Sequence, residues 1–268
     1  MTVTLIVRNI PRVGVEAEAI RPDVLEGKNA TRIQRTPIWA GRRQITIGDV
    51  FDVQLREPDE PCVEILGDAS RVKRIGQGME LGEIRIRGNA GMHLGAHMSG
   101  GSIQVWGSVS SWCGAEMTGG SIEIHGSAGH YLGGAYRGSF KGMQGGCITV
   151  HGRCGSEVGA GMAGGRIAVS SAGPLAGVGQ TGGLIRISGP AGPRAGLGMK
   201  GGTIVIEGKA CEPIPGAFYQ GIVESGELGI DGLSGRFLSF RCDMAERKQG
   251  LLLISEAENP GLAALLLR

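Results

Sequence analysis

No two of the six cysteines, Cys62, Cys113, Cys147, Cys154, Cys211 and Cys242, stand in the C-x-x-C spacing of a zinc or redox site. That excludes the common thiolate metal modules and fits a reduced cytoplasm. The opening MTVTLIVRN lacks a positive region followed by an apolar stretch, and no window approaches the roughly 18 apolar residues of a membrane span. The expected location is therefore cytoplasmic, with no membrane partner. An excess of charge of one sign is missing too: 27 basic and 25 acidic residues leave a net +2 without a basic stripe, which argues against nucleic acid as a partner. Proline stays at 11 residues while glycine reaches 51 of 268, so the glycines indicate neither collagen nor loose linker.

What is present is a repeat. The thirteen-residue pattern G-x-x-M-x-x-G-x-I-x-I/V-x-G is first read as GQGMELGEIRIRG over 76–88. It returns over 95–107, 114–126, 140–152, 159–171, 177–189 and 196–208, with offsets of 19, 19, 26, 19, 18 and 19 residues. Within each copy two aliphatic residues alternate with polar ones, as in Ile84/Ile86, Ile103/Val105 and Ile122/Ile124, the mark of a strand with one buried face. A strand that returns every nineteen residues in the same direction pairs in parallel, and a short period of this kind calls for a chain that winds and stacks on itself. The expected class is all-β, a parallel β-helix of about seven coils.

Two further columns are expected to face inward: Met79, Met98, Met117, Met143, Met162 and Met199, and Leu94, Cys113, Leu132, Val158, Ala176 and Ala195. Glycine serves the corners, where the chain needs positive φ or close backbone approach. A stack of this kind ends in unpaired strand edges that must be covered. The expected organisation is an N-terminal cap over 1–60 with strands in VTLIV and QITIGDVFDVQL, a β-helix over 61–215, and a C-terminal cap over 216–268 ending in a short helix at PGLAALLLR.

Little in the repeats reads as chemistry. The glycine-rich strings recur on corners without a βαβ unit, which argues against phosphate binding. His125 and His151 share an outward column with Arg87, Trp106, Ser170, Ser188 and Glu207; no carboxylate or cysteine of that column stands near them, so no metal site is expected. His93 and His97 lie four residues apart on a corner, where that spacing does not bring two imidazoles together, and read as surface residues. Trp106 on an outer strand face needs cover, which suggests a docking face. The one 26-residue offset is an insertion in YLGGAYRGSFKGMQGG, expected to protrude and to offer Tyr136, Arg137, Phe140 and Lys141 to a partner or an anionic ligand.

The run RPDVLEGK (21–28), the run KRIGQGM (73–79), the seven repeats and the insertion YRGSFKGM (136–143) together resemble the C subunit of formylmethanofuran dehydrogenase and of the related formyltransferase/hydrolase complex. The resemblance spans nearly the whole chain and implies a right-handed β-helix acting as a non-catalytic scaffold with no cofactor or metal of its own. In the hydrolytic complex it implies three partners: a formyltransferase (the D subunit), an amidohydrolase-like chain that carries metal (the A subunit), and the B subunit of the same complex. The assembly it implies is a hetero-oligomer, with a dimer of heterotetramers as one arrangement. That complex converts formyl-tetrahydromethanopterin to formate by way of formyl-methanofuran or formyl-methylofuran. Two alternatives stay open, the C subunit of a molybdenum or tungsten formylmethanofuran dehydrogenase and a glutamate synthase-like β-helix module. The 21 arginines against 6 lysines favour the hydrolytic complex. Two enzyme classes fit poorly: the paired strand residues break the hexad of left-handed acyltransferases, and the repeats hold no aspartate for a pectin lyase-like site.

Overall fold

A computed structural model describes residues 1–56 and 61–266. The chain is mostly β and builds two sheets, one of thirteen strands and one of four. The repeats supply the middle of the large sheet. Each strand of a repeat lies parallel to its counterparts in the flanking repeats, so that Ser102–Val105 sits between Glu83–Arg87 and Ser121–Ile124 with Ile103 beside Ile84 and Ile122. The same register continues through Cys147–Arg153, Arg166–Ser171, Thr181–Ile187 and Gly201–Ile206. Ile84, Ile103, Ile122, Ile148, Ile167, Ile185 and Ile204 therefore form one buried column. Each such side chain contributes about 1.5–3 kcal/mol through burial.

The six methionines expected to face inward are all buried, as is the column from Leu94 to Ala195. In the one repeat without methionine, Gln180 takes its place, fully buried, and its amide donates to the carbonyls of Gly182 and Gly183 at 3.0 Å. A further ladder carries no mark in the sequence pattern. Single bridges link Ala69, Ala90, Val109, Ala128 and Cys154 in succession, then Ala172, Ala191 and Ala210. Small residues recur there because the chain of one repeat lies directly over the next.

The glycine pair carried by every repeat but the first, which has Leu81 before Gly82, has two separate causes. A Cβ on Gly119 would fall far inside van der Waals contact with the Ser99 carbonyl oxygen of the preceding repeat, a backbone atom that cannot move aside alone. Gly120 has φ +80°, a conformation that L side chains rarely adopt.

At one end of the large sheet Thr2–Val7 runs parallel to Cys62–Leu66 and antiparallel to Phe51–Arg56. At the other, Gly250–Ser255 runs parallel to Gly201–Ile206, then Arg236–Cys242 and Phe218–Glu224 follow in antiparallel pairing. The stretch QITIGDVFDVQL is not strand throughout: Ile47–Val50 forms a helical turn between Arg43–Thr46 and Phe51–Arg56. Thr46 and Asp49 account for it as a capping box, the Asp49 carboxylate accepting from the Thr46 amide at 2.8 Å and from its hydroxyl at 2.9 Å. These bonds hold the Asp49 carboxyl below the usual range. The C-terminal stretch forms the helix Pro260–Leu266. Asn259, just before it, donates to the carbonyls of Gly208 and Ser255 and accepts from the Ala210 amide, tying the helix to the last repeat. Among the described residues no helix is long and apolar enough to cross a membrane.

Candidate functional site

At one corner position, repeated along the stack, the described residues are other than glycine. Arg74, His93, Trp112, Tyr131, Glu157, Leu175 and Arg194 occupy equivalent positions with φ between 59° and 66°. A side chain in this conformation costs roughly 1 kcal/mol or more. Stacking offsets part of that cost, since a shared corner geometry sends successive side chains outward one above the next. The Trp112 and Tyr131 rings are parallel within 6° at 4.7 Å, and His93 stacks on Trp112 at 5.6 Å.

The insertion folds back onto this ladder. The Tyr136 ring lies 5.5 Å from the rings of both His93 and His97, and its hydroxyl is hydrogen-bonded to Nδ1 of His93 at 2.8 Å. Its backbone amide donates to the Glu116 carboxylate at 3.0 Å, and the other oxygen of that carboxylate lies 3.7 Å from Nδ1 of His97. Two expectations are thereby corrected. His97 is exposed, as expected of a surface residue, but His93 is half-buried, and the two do not stand apart: both have positive φ, at 62° and 56°, and Tyr136 lies against both. The insertion does not protrude as a whole either, because Tyr136 is half-buried while Arg137 and Lys141 are exposed and Phe140 is 91% exposed.

Burial pushes the Tyr136 hydroxyl up to about 12, against an opposing effect of the Arg74 charge. Burial also lowers the His93 pKa, helped by the charges of Arg74 and Lys73. The sign follows. Below the ordinary histidine value near 6.5 an unfolded or undocked chain takes up a proton that docked His93 resists. The stabilisation is thus complete above that value and is lost as pH falls through the lowered one. Acidification below about pH 6.5 is expected to release Tyr136, seen as a change in its ring resonances by NMR. His93→Asn, which tolerates the left-handed backbone, should abolish that transition; a transition that persists in the variant would assign it to another group.

Beside the insertion lies a cavity of about 480 Å³, lined by Tyr131, Tyr136, Arg137, Phe140, Glu157 and Lys200 among others. Three of the residues singled out from the sequence, Tyr136, Arg137 and Phe140, come together here. Lys141 does not line the cavity, and Trp106 lies elsewhere, on an outer strand face. Tyr131, Glu157 and Lys200 were not foreseen from the sequence. The available signal for the first two was their place at the corner position, obscured by the 26-residue offset.

Trp106 is partly covered within the chain. The Arg87 guanidinium carbon sits 3.5 Å from the centre of its ring and His125 stacks on it at 5.6 Å, yet the tryptophan remains 36% exposed. Arg87 is itself paired with Glu64 at 3.3 Å. The ladder continues from His125 to His151, at 5.1 Å and 12°. A carboxylate from outside their own column does stand near these histidines. Glu123, two residues before His125 on the same face of its strand, reaches Nε2 of His151 at 2.9 Å.

No family model matches the chain. The C subunit of a tungsten-containing formylmethanofuran dehydrogenase 2 from Methanococcus maripaludis is 42% identical over 254 residues, which cover 92% of this chain and 93% of that one. Its counterpart in Methanothermobacter wolfeii is 42% identical over 89 residues, and this match spans 33% of its length. Among solved structures, a chain of the formyltransferase/hydrolase complex FhcABCD of Methylorubrum extorquens, determined with methylofuran, superposes with a TM-score of 0.87 at 30% identity. That superposition covers 94% of this chain and 99% of the other.

Proposed function

The chain belongs to the family of formylmethanofuran dehydrogenase C subunits, and from that premise we propose that it is the non-catalytic scaffold of a formyltransferase/hydrolase complex. The observation that carries this reading is the likeness, over 94% of the chain, to a component of the complex that was solved with methylofuran. The repeats wind as a right-handed parallel β-helix over 61–215, with 1–60 and 216–268 covering its two ends. Parallel registers between successive repeats and the antiparallel strands at both ends of the sheet support that organisation.

In this role the chain holds a formyltransferase, an amidohydrolase-like chain with its metal and a third partner in one cytoplasmic assembly. Formyl groups pass from tetrahydromethanopterin to methylofuran and leave as formate. Fixing the two active sites at a set distance raises the local concentration of a carrier-bound intermediate without any chemistry on the scaffold. Formyl transfer and hydrolysis are assigned to the partner chains, and this chain supplies rigidity and contact surface. The insertion is one such surface: exposed Phe140 offers apolar area, and Arg137 and Lys141 flank it with positive charge.

A tagged copy purified from its native host is expected to bring down a formyltransferase and an amidohydrolase-like chain, identified by mass spectrometry, together with conversion of formyl-tetrahydromethanopterin to formate. Pterin-bound molybdenum or tungsten in the preparation would assign the chain to the dehydrogenase instead. The Arg137→Ala/Phe140→Ala double variant should lower partner recovery roughly tenfold or more, as expected for an aromatic and arginine anchor. Full recovery and full activity would remove the insertion from the interface.

A further inference from the structure

The outward ladder ends in side chains to which a scaffold role gives no task. We propose that Glu123, His125 and His151 form a binding site for a divalent transition-metal ion of the zinc class on the outer face of the large sheet. One donor atom from each of the three lies within 4.8 Å of the other two. Nε2 of His151 is 2.9 Å from Oε1 of Glu123, and the two imidazoles are nearly parallel at 5.1 Å.

Gln104 shows where the lone pairs converge. Its side-chain nitrogen lies 3.4 Å from Oε2 of Glu123 and 3.4 Å from Nε2 of His125. With that amide as donor to both, Nε2 of His125 is the unprotonated nitrogen, and it shares one electropositive partner with the carboxylate. A cation satisfies the same two acceptors more strongly than an amide does, and His151, whose Nε2–H now donates to the carboxylate, becomes the third ligand when that proton moves to Nδ1 and frees the Nε2 lone pair. The carboxyl of Glu123 is held below the usual range, first by the hydrogen bond from His151.

The backbone keeps these donors in place. Glu123 is paired in register with Gln104 on one side and Thr149 on the other, and the alternate residues Ile122, Ile124, Ile148 and Val150 are buried. Two imidazoles and one carboxylate suit zinc and its neighbours in the transition series, whereas magnesium and calcium prefer all-oxygen sets. Three protein donors leave at least one position for water or a further ligand.

The test uses the full chain, with the exposed thiols Cys147 and Cys211 replaced by serine so that neither competes for metal. Calorimetric titration with Zn²⁺ near neutral pH is expected to show one equivalent bound, with no heat from Mg²⁺. His125→Gln and Glu123→Gln should each weaken Zn²⁺ binding roughly tenfold or more, with unchanged circular dichroism, since both side chains reach solvent. Affinity should also fall in acid, where the imidazoles bind protons instead. Absence of Zn²⁺ binding, or full affinity retained in either variant, would overturn the site.

Discussion

Gly119→Ala is expected to destabilise the chain by about 3 kcal/mol, the upper end of the usual range for forcing atoms into a filled interior, because the clash is with backbone. The added carbon meets the Ser99 carbonyl oxygen, which belongs to the preceding repeat, and relief requires the two repeats to separate. The neighbouring Gly120 has positive φ, and a Cβ there would likewise crowd the Met98 methyl and the Gly101 carbonyl oxygen of the preceding repeat. Hydrogen exchange should show faster opening of the amides on both sides of this junction. Gly226→Ala is the control: a Cβ there has nothing within 4 Å, and the change is expected to be neutral or slightly stabilising. Equal stability of the two variants would mean that the repeats separate at little cost.

Phe240→Ala is expected to cost about 3–5 kcal/mol, the usual range for emptying a buried phenylalanine site. Phe240 is buried in Arg236–Cys242, with the Tyr219 ring at 5.5 Å. Here the loss should be local. Because each strand of the sheet meets only its two neighbours, protection should fall across Phe218–Glu224, Arg236–Cys242 and Gly250–Ser255 and remain in Glu83–Arg87 and Ser102–Val105. A uniform fall over the whole sheet would show that the repeats open as a single cooperative unit.

The strands were legible in the sequence because alternation of Ile and Val with polar residues reports a local property, the two faces of a strand. The methionine column was legible for the same reason, since it recurs in fixed step with the strand. His93, Trp112 and Tyr131 were not, because their shared left-handed backbone is a property of the corner that no residue type announces, and that conformation is ordinarily expected of glycine. The contact of Tyr136 with His93 and His97 depends on an insertion folding back across earlier repeats, a long-range contact without periodicity. Glu123 beside His151 was hidden for a geometric reason: repeat columns run straight down the stack, while this contact runs diagonally between adjacent columns of one face. The helical turn at Ile47–Val50 was written in the Thr46 and Asp49 pair, but the flanking β-branched residues gave the stronger local signal.

At each end of the large sheet one strand runs against the direction of the repeats, Phe51–Arg56 at one and Arg236–Cys242 at the other. Phe51–Arg56 lies outermost at one end and Phe218–Glu224 at the other, each antiparallel to its single neighbour. A sheet built of near-identical parallel layers is otherwise a template for itself, since the last layer offers an arriving copy the same surface that the first layer presents. Reversing the terminal strand Phe51–Arg56, and placing exposed Asp52, Gln54 and Arg56 along it, removes that match at its end of the sheet, whereas Phe218–Glu224 at the other end regains the direction of the repeats. The molecule thus carries a stop against growing into filaments, and its length is set by the chain rather than by the concentration of its copies.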